Sequence, residues 1–174
     1  MGDLKPNNIK TLILEDNLRM KMILSTVLEA FGFRQIYSAA SNAEALKLSQ
    51  EIQFDLILVD QKIGGTNGLR FVKWIRDRES SPNPYVPIIM VSAYSERRRI
   101  IGAINAGVDE FLVKPVKPVD IARRIDAVTY KRRDFIDAPN YFGPDRRRRD
   151  DPDYSGPRRR ITDADVMEDV FEFD

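Results

Sequence analysis

A chain of 174 residues, 43% of them hydrophobic, is long enough for one domain of ordinary size plus an extension. It has no cysteine and no histidine, which excludes a disulfide framework, thiol chemistry, a Ser-His-Asp triad, histidine ligands for zinc and a phosphohistidine relay on this chain. The formal net charge of +1 divides unevenly: +3 over residues 1–130 (18 Lys and Arg against 15 Asp and Glu), +4 over 131–160 (10 against 6) and −6 over 161–174 (none against 6), the order expected of a folded domain followed by a basic and then an acidic interaction tail.

Residues 1–8 read as a polar leader. The opening MGDLKPNNIK has no apolar h-region, so no secretory signal is expected. No apolar run approaches the roughly 20 residues of a membrane span. A cytoplasmic location without membrane insertion is the expectation.

From residue 9 to 134, short apolar runs alternate with helix-period stretches. The strand-like runs are Ile9–Leu14, Gln35–Tyr37, Phe54–Val59, Val86–Val91 and Glu110–Val113. Several are apolar almost without interruption, which suits a parallel sheet covered on both faces. Between them, Asn17 opens a first helix that ends near Gly32. Ser41 with Glu44 three residues later forms a capping box for the second. Gly68–Arg78 makes the third, Ser95 caps a fourth that stops at Gly107, and Pro118–Arg133 makes the fifth. Five β–α units in a row predict a doubly wound α/β fold with a five-stranded parallel sheet. The working site of such a sheet lies past the C-terminal ends of its strands.

Those ends carry a pattern. The first strand runs into Glu15-Asp16, the third into Asp60, the fourth into Ser92-Ala93 and the fifth into Lys114-Pro115. Three carboxylates, a hydroxyl and an ammonium would converge. Clustered carboxylates need a cation, and an all-oxygen set suits Mg²⁺. Asp60 can then attack a phosphoryl group while the metal neutralises charge. Lys114 supplies a point charge and Ser92 a hydrogen bond to the phosphoryl oxygens. One Asp at a strand end is most simply a helix cap; five such groups at matched ends are not.

Ile13–Asn17, Asp60-Gln-Lys-Ile-Gly-Gly-Thr-Asn-Gly68, Val91-Ser92-Ala93 and Phe111-Leu-Val-Lys-Pro115 together resemble the CheY-like response-regulator receiver family over about residues 9–134. The resemblance implies a phospho-accepting signalling protein rather than an enzyme, with phosphotransfer from a sensor histidine kinase or phosphotransfer protein to Asp60. It implies Mg²⁺ held directly by Asp16 and Asp60, by Glu15 through water, and by the backbone carbonyl of Lys62. It makes Ser92 the switch hydroxyl and Phe111 the rotating aromatic, although ordinary core serves Phe111 nearly as well. Two departures stand out. Gly64 replaces the usual proline, which is expected to loosen the loop. Lys62 places a cation where side chains of this family face the phosphoryl group, which bears on dephosphorylation.

After Arg133 the periodicity dissolves among Pro139, Gly143, Pro144, Pro152, Gly156 and Pro157. Residues 135–160 read as an extended arginine-rich binding segment and 161–174 as an acidic segment, in which Val166 and Val170, and Met167 and Phe171, share helix faces. No helix-turn-helix or effector domain fits here. The segment Tyr141-Phe-Gly-Pro-Asp-Arg-Arg-Arg-Arg149 is echoed by Tyr154-Ser-Gly-Pro-Arg-Arg-Arg160. Gly and Pro set the backbone, arginine forks match phosphates and guanine edges, and Tyr offers a stacking face. Two such units suit a ligand with two phosphates and two guanines, cyclic di-GMP. Tyr141, Arg146, Arg147, Arg148, Arg149, Asp153, Tyr154, Ser155, Arg158, Arg159 and Arg160 are the candidate contacts, and Asp153-Tyr154-Ser155 loosely resembles the Asp-x-Ser segment of known cyclic di-GMP sites. The extension is also similar to that of CheY-like cyclic di-GMP effectors acting on flagellar motors and surface attachment, which implies a downstream protein target. Two other readings stand beside it: RNA or DNA binding, weakened by the interleaved Asp145, Asp150, Asp151 and Asp153, and a protein-docking or solubilising tail.

Overall fold

The computed structural model describes residues 5–146. Its elements are β1 (Lys10–Leu14), α1 (Leu18–Ala30), β2 (Gln35–Ala39), α2 (Asn42–Glu51), β3 (Leu56–Asp60), β4 (Lys62–Ile63), β5 (Thr66–Asn67), α3 (Leu69–Arg76), β6 (Ile88–Ser92), α4 (Arg97–Asn105), β7 (Glu110–Val113), α5 (Pro118–Tyr130), β8 (Phe135–Ala138) and β9 (Tyr141–Pro144). Five strands form one parallel sheet in the order β2-β1-β3-β6-β7, the expected doubly wound arrangement. The strand order reverses at β1, beside β3, so a crevice opens beyond the C-terminal ends of those two strands.

The apolar runs explain why both faces are covered. Successive residues of β3 point to opposite sides. Ile57 and Val59 join a core with Leu12, Leu14, Ile88, Met90 and the buried faces of α2, α3 and α4. Leu56 and Leu58 join a second core with Ile13, Ile89, Val91, Leu112 and residues of α1 and α5. A strand buried on both faces has no polar alternation to show.

Most start signals act as their chemistry suggests. The Asn17 side chain accepts from the Met20 amide at 3.0 Å. Ser41 accepts from the Glu44 amide at 3.2 Å, and Glu44 reaches back to the Ala40 amide, one residue before the cap. The fourth helix departs from expectation: Ser95 makes no cap. The Glu96 carbonyl accepts the first helical hydrogen bonds, from Arg99 and Ile100, so α4 begins at Arg97.

The larger difference lies after α5. The helix ends at Tyr130 rather than Arg133, because the next two arginines turn toward Asp109. Arg132 donates to its carboxylate at 2.8 Å, and Arg133 donates to its backbone carbonyl. Residues 135–144, expected to be an extended segment, form an antiparallel hairpin, β8–β9. Phe135, Phe142 and Tyr85 pack in tilted and edge-to-face contacts, all three pairs of ring centroids lying 5.1–5.4 Å apart. Beneath them Arg76, almost fully buried, donates to Pro84, Val86 and Gly107 carbonyls and to Asp109 at 2.7–2.9 Å. Burial lowers its pKa to about 10, against the pull of Asp109, so the guanidinium stays charged at neutral pH.

The hairpin meets the domain backbone to backbone. Gly107 terminates α4 at a φ of +93°, a conformation that suits glycine. Gly143 faces it so closely that a Cβ there would lie 2.8 Å from the Gly107 Cα. Gly143→Ala is therefore expected to lower the unfolding free energy by about 1–3 kcal/mol, read as a lower urea midpoint at unchanged slope. An unchanged midpoint would mean that the hairpin is not part of the cooperative unit.

Candidate functional site

The C-terminal ends of β1 and β3 lie side by side, with Leu14 paired to Val59. Each chain then delivers its carboxylates into the same crevice: Glu15 and Asp16 from one, Asp60 from the other. One ligand oxygen from each lies within 4.8 Å of the other two. Glu15 is 1% exposed and Asp60 8%, whereas Asp16 stands at the open rim.

Lys114 follows β7 on the far side of β6. Its Nζ donates to Asp60 Oδ2 at 2.6 Å and to Glu15 Oε2 at 2.9 Å. The peptide that follows, Lys114–Pro115, is cis. Backbone amides hold three further oxygens: Asn17 N donates to Glu15 Oε1 at 3.0 Å, Lys62 N to Asp60 Oδ1 at 3.3 Å, and Gly64 N to Asp16 Oδ2 at 2.7 Å.

The electrostatics follow from burial. Desolvation pushes the Glu15 carboxyl above its ordinary 4.5, opposed by the hydrogen bonds from Lys114 and Asn17. Desolvation pulls the Lys114 ammonium down, but its hydrogen bonds to Asp60 and Glu15 outweigh that, and its pKa rises above 10.5. Three carboxylates against one ammonium leave the crevice with two uncompensated negative charges. A hard divalent cation would neutralise them, and an all-oxygen donor set with an open rim fits Mg²⁺.

Ser92 ends β6 fully buried, and its hydroxyl donates to Gln61 Oε1 at 2.7 Å and accepts from the Tyr94 amide at 3.0 Å. Phe111, 7% exposed, sits on β7 within the core that contains Val59 and Met90. The Lys62 side chain is exposed. The crevice thus gathers Glu15, Asp16, Asp60 and Lys114, with the backbone of Lys62. Ser92 approaches from the next strand, and Phe111 stands behind.

Three contributions had no counterpart in the sequence pattern. Gln61 carries a buried amide whose only signal was adjacency to Asp60. Tyr94 contributes through its backbone. Gly64 was expected to loosen the loop; instead β4 and β5 close a tight turn with Gly64 and Gly65 at φ +52° and +84°, and the Gly64 amide binds Asp16. Proline could supply neither that N–H nor that φ.

In the tail, Tyr141 was expected to offer a stacking face to a nucleotide. It is 7% exposed, its hydroxyl donates to the Pro144 carbonyl at 2.5 Å, and the Arg146 guanidinium covers its ring at 4.1 Å. Arg146 also donates to Asn105 Oδ1 at 2.9 Å. Arg147, Arg148, Arg149, Asp153, Tyr154, Ser155, Arg158, Arg159 and Arg160, and the acidic segment, lie outside the described residues. Among the described residues no helix is long and apolar enough to cross a membrane.

A doubly wound parallel sheet with an acidic, lysine-bridged crevice at its switch point defines a phospho-accepting signalling module. Residues 11–126 match the family described as the response regulator receiver domain, and the chain belongs to that family. It is 30% identical over 121 residues to the chemotaxis protein CheY-3 of Vibrio cholerae, covering 70% of this chain and 92% of that one. It is 31% identical over 122 residues to the transcriptional regulatory protein ResD of Bacillus subtilis, but spans only 48% of that longer protein. Among solved structures, Vibrio cholerae CheY4 superposes with a TM-score of 0.63 at 26% identity, over 69% of this chain and 98% of that one. The receiver domain of the Pseudomonas aeruginosa histidine kinase PA1611, whose structure has a magnesium ion in its active-site cleft, shares the fold at a TM-score of 0.60 and 24% identity, over 68% and 94%.

Millimolar Mg²⁺ is expected to raise the melting temperature, by the equivalent of about 2.7 kcal/mol at a hundredfold excess over Kd. Glu15 gives a pH-linked companion test. Its raised pKa means that folding favours the protonated form; that stabilisation is complete below 4.5 and is lost as pH rises through the higher folded value. Without metal at pH 7, Glu15→Gln is therefore expected to melt above the wild type, and to gain less from Mg²⁺. A lower metal-free melting temperature would contradict the burial cost assigned to Glu15.

Proposed function

We propose that this protein is a response regulator phosphorylated on Asp60, and that its arginine-rich tail reads a second signal, cyclic di-GMP. The observation that carries the first part is the Lys114 ammonium bridging Asp60 and Glu15 in a crevice rimmed by Asp16. In phosphotransfer from a histidine kinase or phosphotransfer protein, an Asp60 carboxylate oxygen attacks phosphorus. The phosphorus–nitrogen bond of the donor phosphohistidine breaks as the acyl phosphate forms. Asp16, Asp60, the Lys62 carbonyl and, through water, Glu15 would hold Mg²⁺, which would supply charge neutralisation for that step. Lys114 passes from the carboxylates to a phosphoryl oxygen, Ser92 donates to another, and Phe111 follows Ser92 inward. Lys62, exposed at the rim, bears on attack by water. Leu18 and Met22, 64% and 61% exposed one turn apart on α1 beside the crevice, provide an apolar face for the phosphodonor protein.

The tail reading rests on the repeated Tyr-x-Gly-Pro…Arg units. Burial of Tyr141 leaves its unit contributing arginines rather than a stacking face. Output then runs through protein contacts, with motility or surface attachment and a flagellar motor target as the processes that the sequence resemblance suggests.

Acetyl phosphate with Mg²⁺ is expected to add one phosphoryl group, seen by intact-protein mass, and Asp60→Asn to abolish it. A wild type that binds Mg²⁺ yet never labels would restrict the protein to ligand-driven signalling. Titration calorimetry with cyclic di-GMP is expected to show binding that is lost when Arg146–Arg149 are replaced by alanine, with labelling of Asp60 intact. A heat signal that instead appears with unrelated RNA and DNA, and falls steeply with salt, would make the tail a nucleic-acid binder.

A further inference from the structure

The residue after the phospho-acceptor holds the hydroxyl that the phosphoryl group needs. Gln61 is 4% exposed and Ser92 is 0% exposed. Their backbones are registered by the sheet: Asp60 pairs with Val91, and the Gln61 amide donates to the Val91 carbonyl at 3.0 Å, which brings Gln61 level with Ser92. The Gln61 carbonyl in turn accepts from Gly68 N at 2.8 Å. A Cβ on Gly68 would lie 2.1 Å from the Asp60 carbonyl oxygen, so the chain packs closely against the backbone next to Gln61 and only glycine fits there.

Within that frame the Ser92 hydroxyl is fully engaged. It accepts from Tyr94 N at 3.0 Å, so its single proton points elsewhere, and the group it meets at 2.7 Å is Gln61 Oε1. A hydroxyl has one proton to donate. While Gln61 has it, a phosphoryl oxygen on Asp60 cannot.

We infer that Gln61 is a positioning residue that latches Ser92 in the unphosphorylated state, so that modification of Asp60 must break the Gln61–Ser92 hydrogen bond before Ser92 can engage the phosphoryl group. This rests on the assignment of Asp60 as acceptor. Its chemistry is a competition between two acceptors for one proton. Releasing Gln61 leaves a buried amide oxygen to be satisfied anew, and that cost falls only on the phosphorylated state. The latch therefore weakens phosphoryl binding and sharpens the difference between the two states.

The test uses the full chain with Mg²⁺ and beryllium fluoride, which forms a phosphoryl mimic on a carboxylate, with bound mimic read by fluorine NMR. Gln61→Met keeps the length of the side chain but removes the acceptor, and is expected to tighten mimic binding on the order of threefold to tenfold. In the Ser92→Ala background the same change is expected to have no effect, because there is no hydroxyl to release; a merely structural role for Gln61 would act in both backgrounds. Gln61→Leu provides a second acceptor-free variant should Gln61→Met melt below the wild type. Equal affinity of the wild type and both variants overturns the latch while leaving Asp60 as acceptor. A wild type that binds no mimic overturns the acceptor reading and the latch with it.

Discussion

The structure turns on a charge problem. Three carboxylates have ligand oxygens within 4.8 Å of one another, two of the groups are nearly buried, and one ammonium bridges two of them. Such a cluster would repel itself apart if its members sat on flexible loops. It holds because each is fixed at the end of a strand or by a backbone amide, and strand ends cannot drift without unzipping the sheet. The parallel sheet buried on both faces is the rigid frame that this repulsion requires. The reversal of strand order at β1 is what puts two of its ends side by side at the mouth of a crevice.

That dependence explains what could be read from the sequence. Glu15, Asp16, Asp60, Ser92 and Lys114 each follow an apolar run, and in a parallel sheet every such position falls on the same edge. Knowing the period of the strands was therefore enough to assemble them. Helix boundaries were less legible where caps were decided by carbonyls rather than side chains. Ser95 has the chemistry of a cap, but the chain places Glu96 at the start of α4. Gln61 was hidden for a related reason. An amide next to an acid has several neighbours within reach, and only the pairing of β3 with β6 selects Ser92.

The β8–β9 hairpin was the least legible element. Its strands are four residues long and include a proline, and local propensity argues against them. What stabilises the hairpin is distant in sequence: Tyr85, Arg76 and Asp109 meet Phe135, Phe142, Arg132 and Arg133. A buried Arg76–Asp109 pair would be costly alone. Here three carbonyls, a second arginine and an aromatic face complete its surroundings, so the same buried charge that forms part of the domain also recruits the segment after it.

The Gly107–Gly143 contact also fixes the hairpin to one end of the domain. Gly107 precedes β7, so the hairpin is seated at the edge where the strands begin, while Asp60 and Lys114 lie at the edge where they end. Arg146 departs from beside the last turn of α4, a sheet's length from the crevice. Any dependence between the two ends that does not involve the tail doubling back over the surface has to be transmitted lengthwise, through the packed layers, as in a lever whose handle and tip never touch.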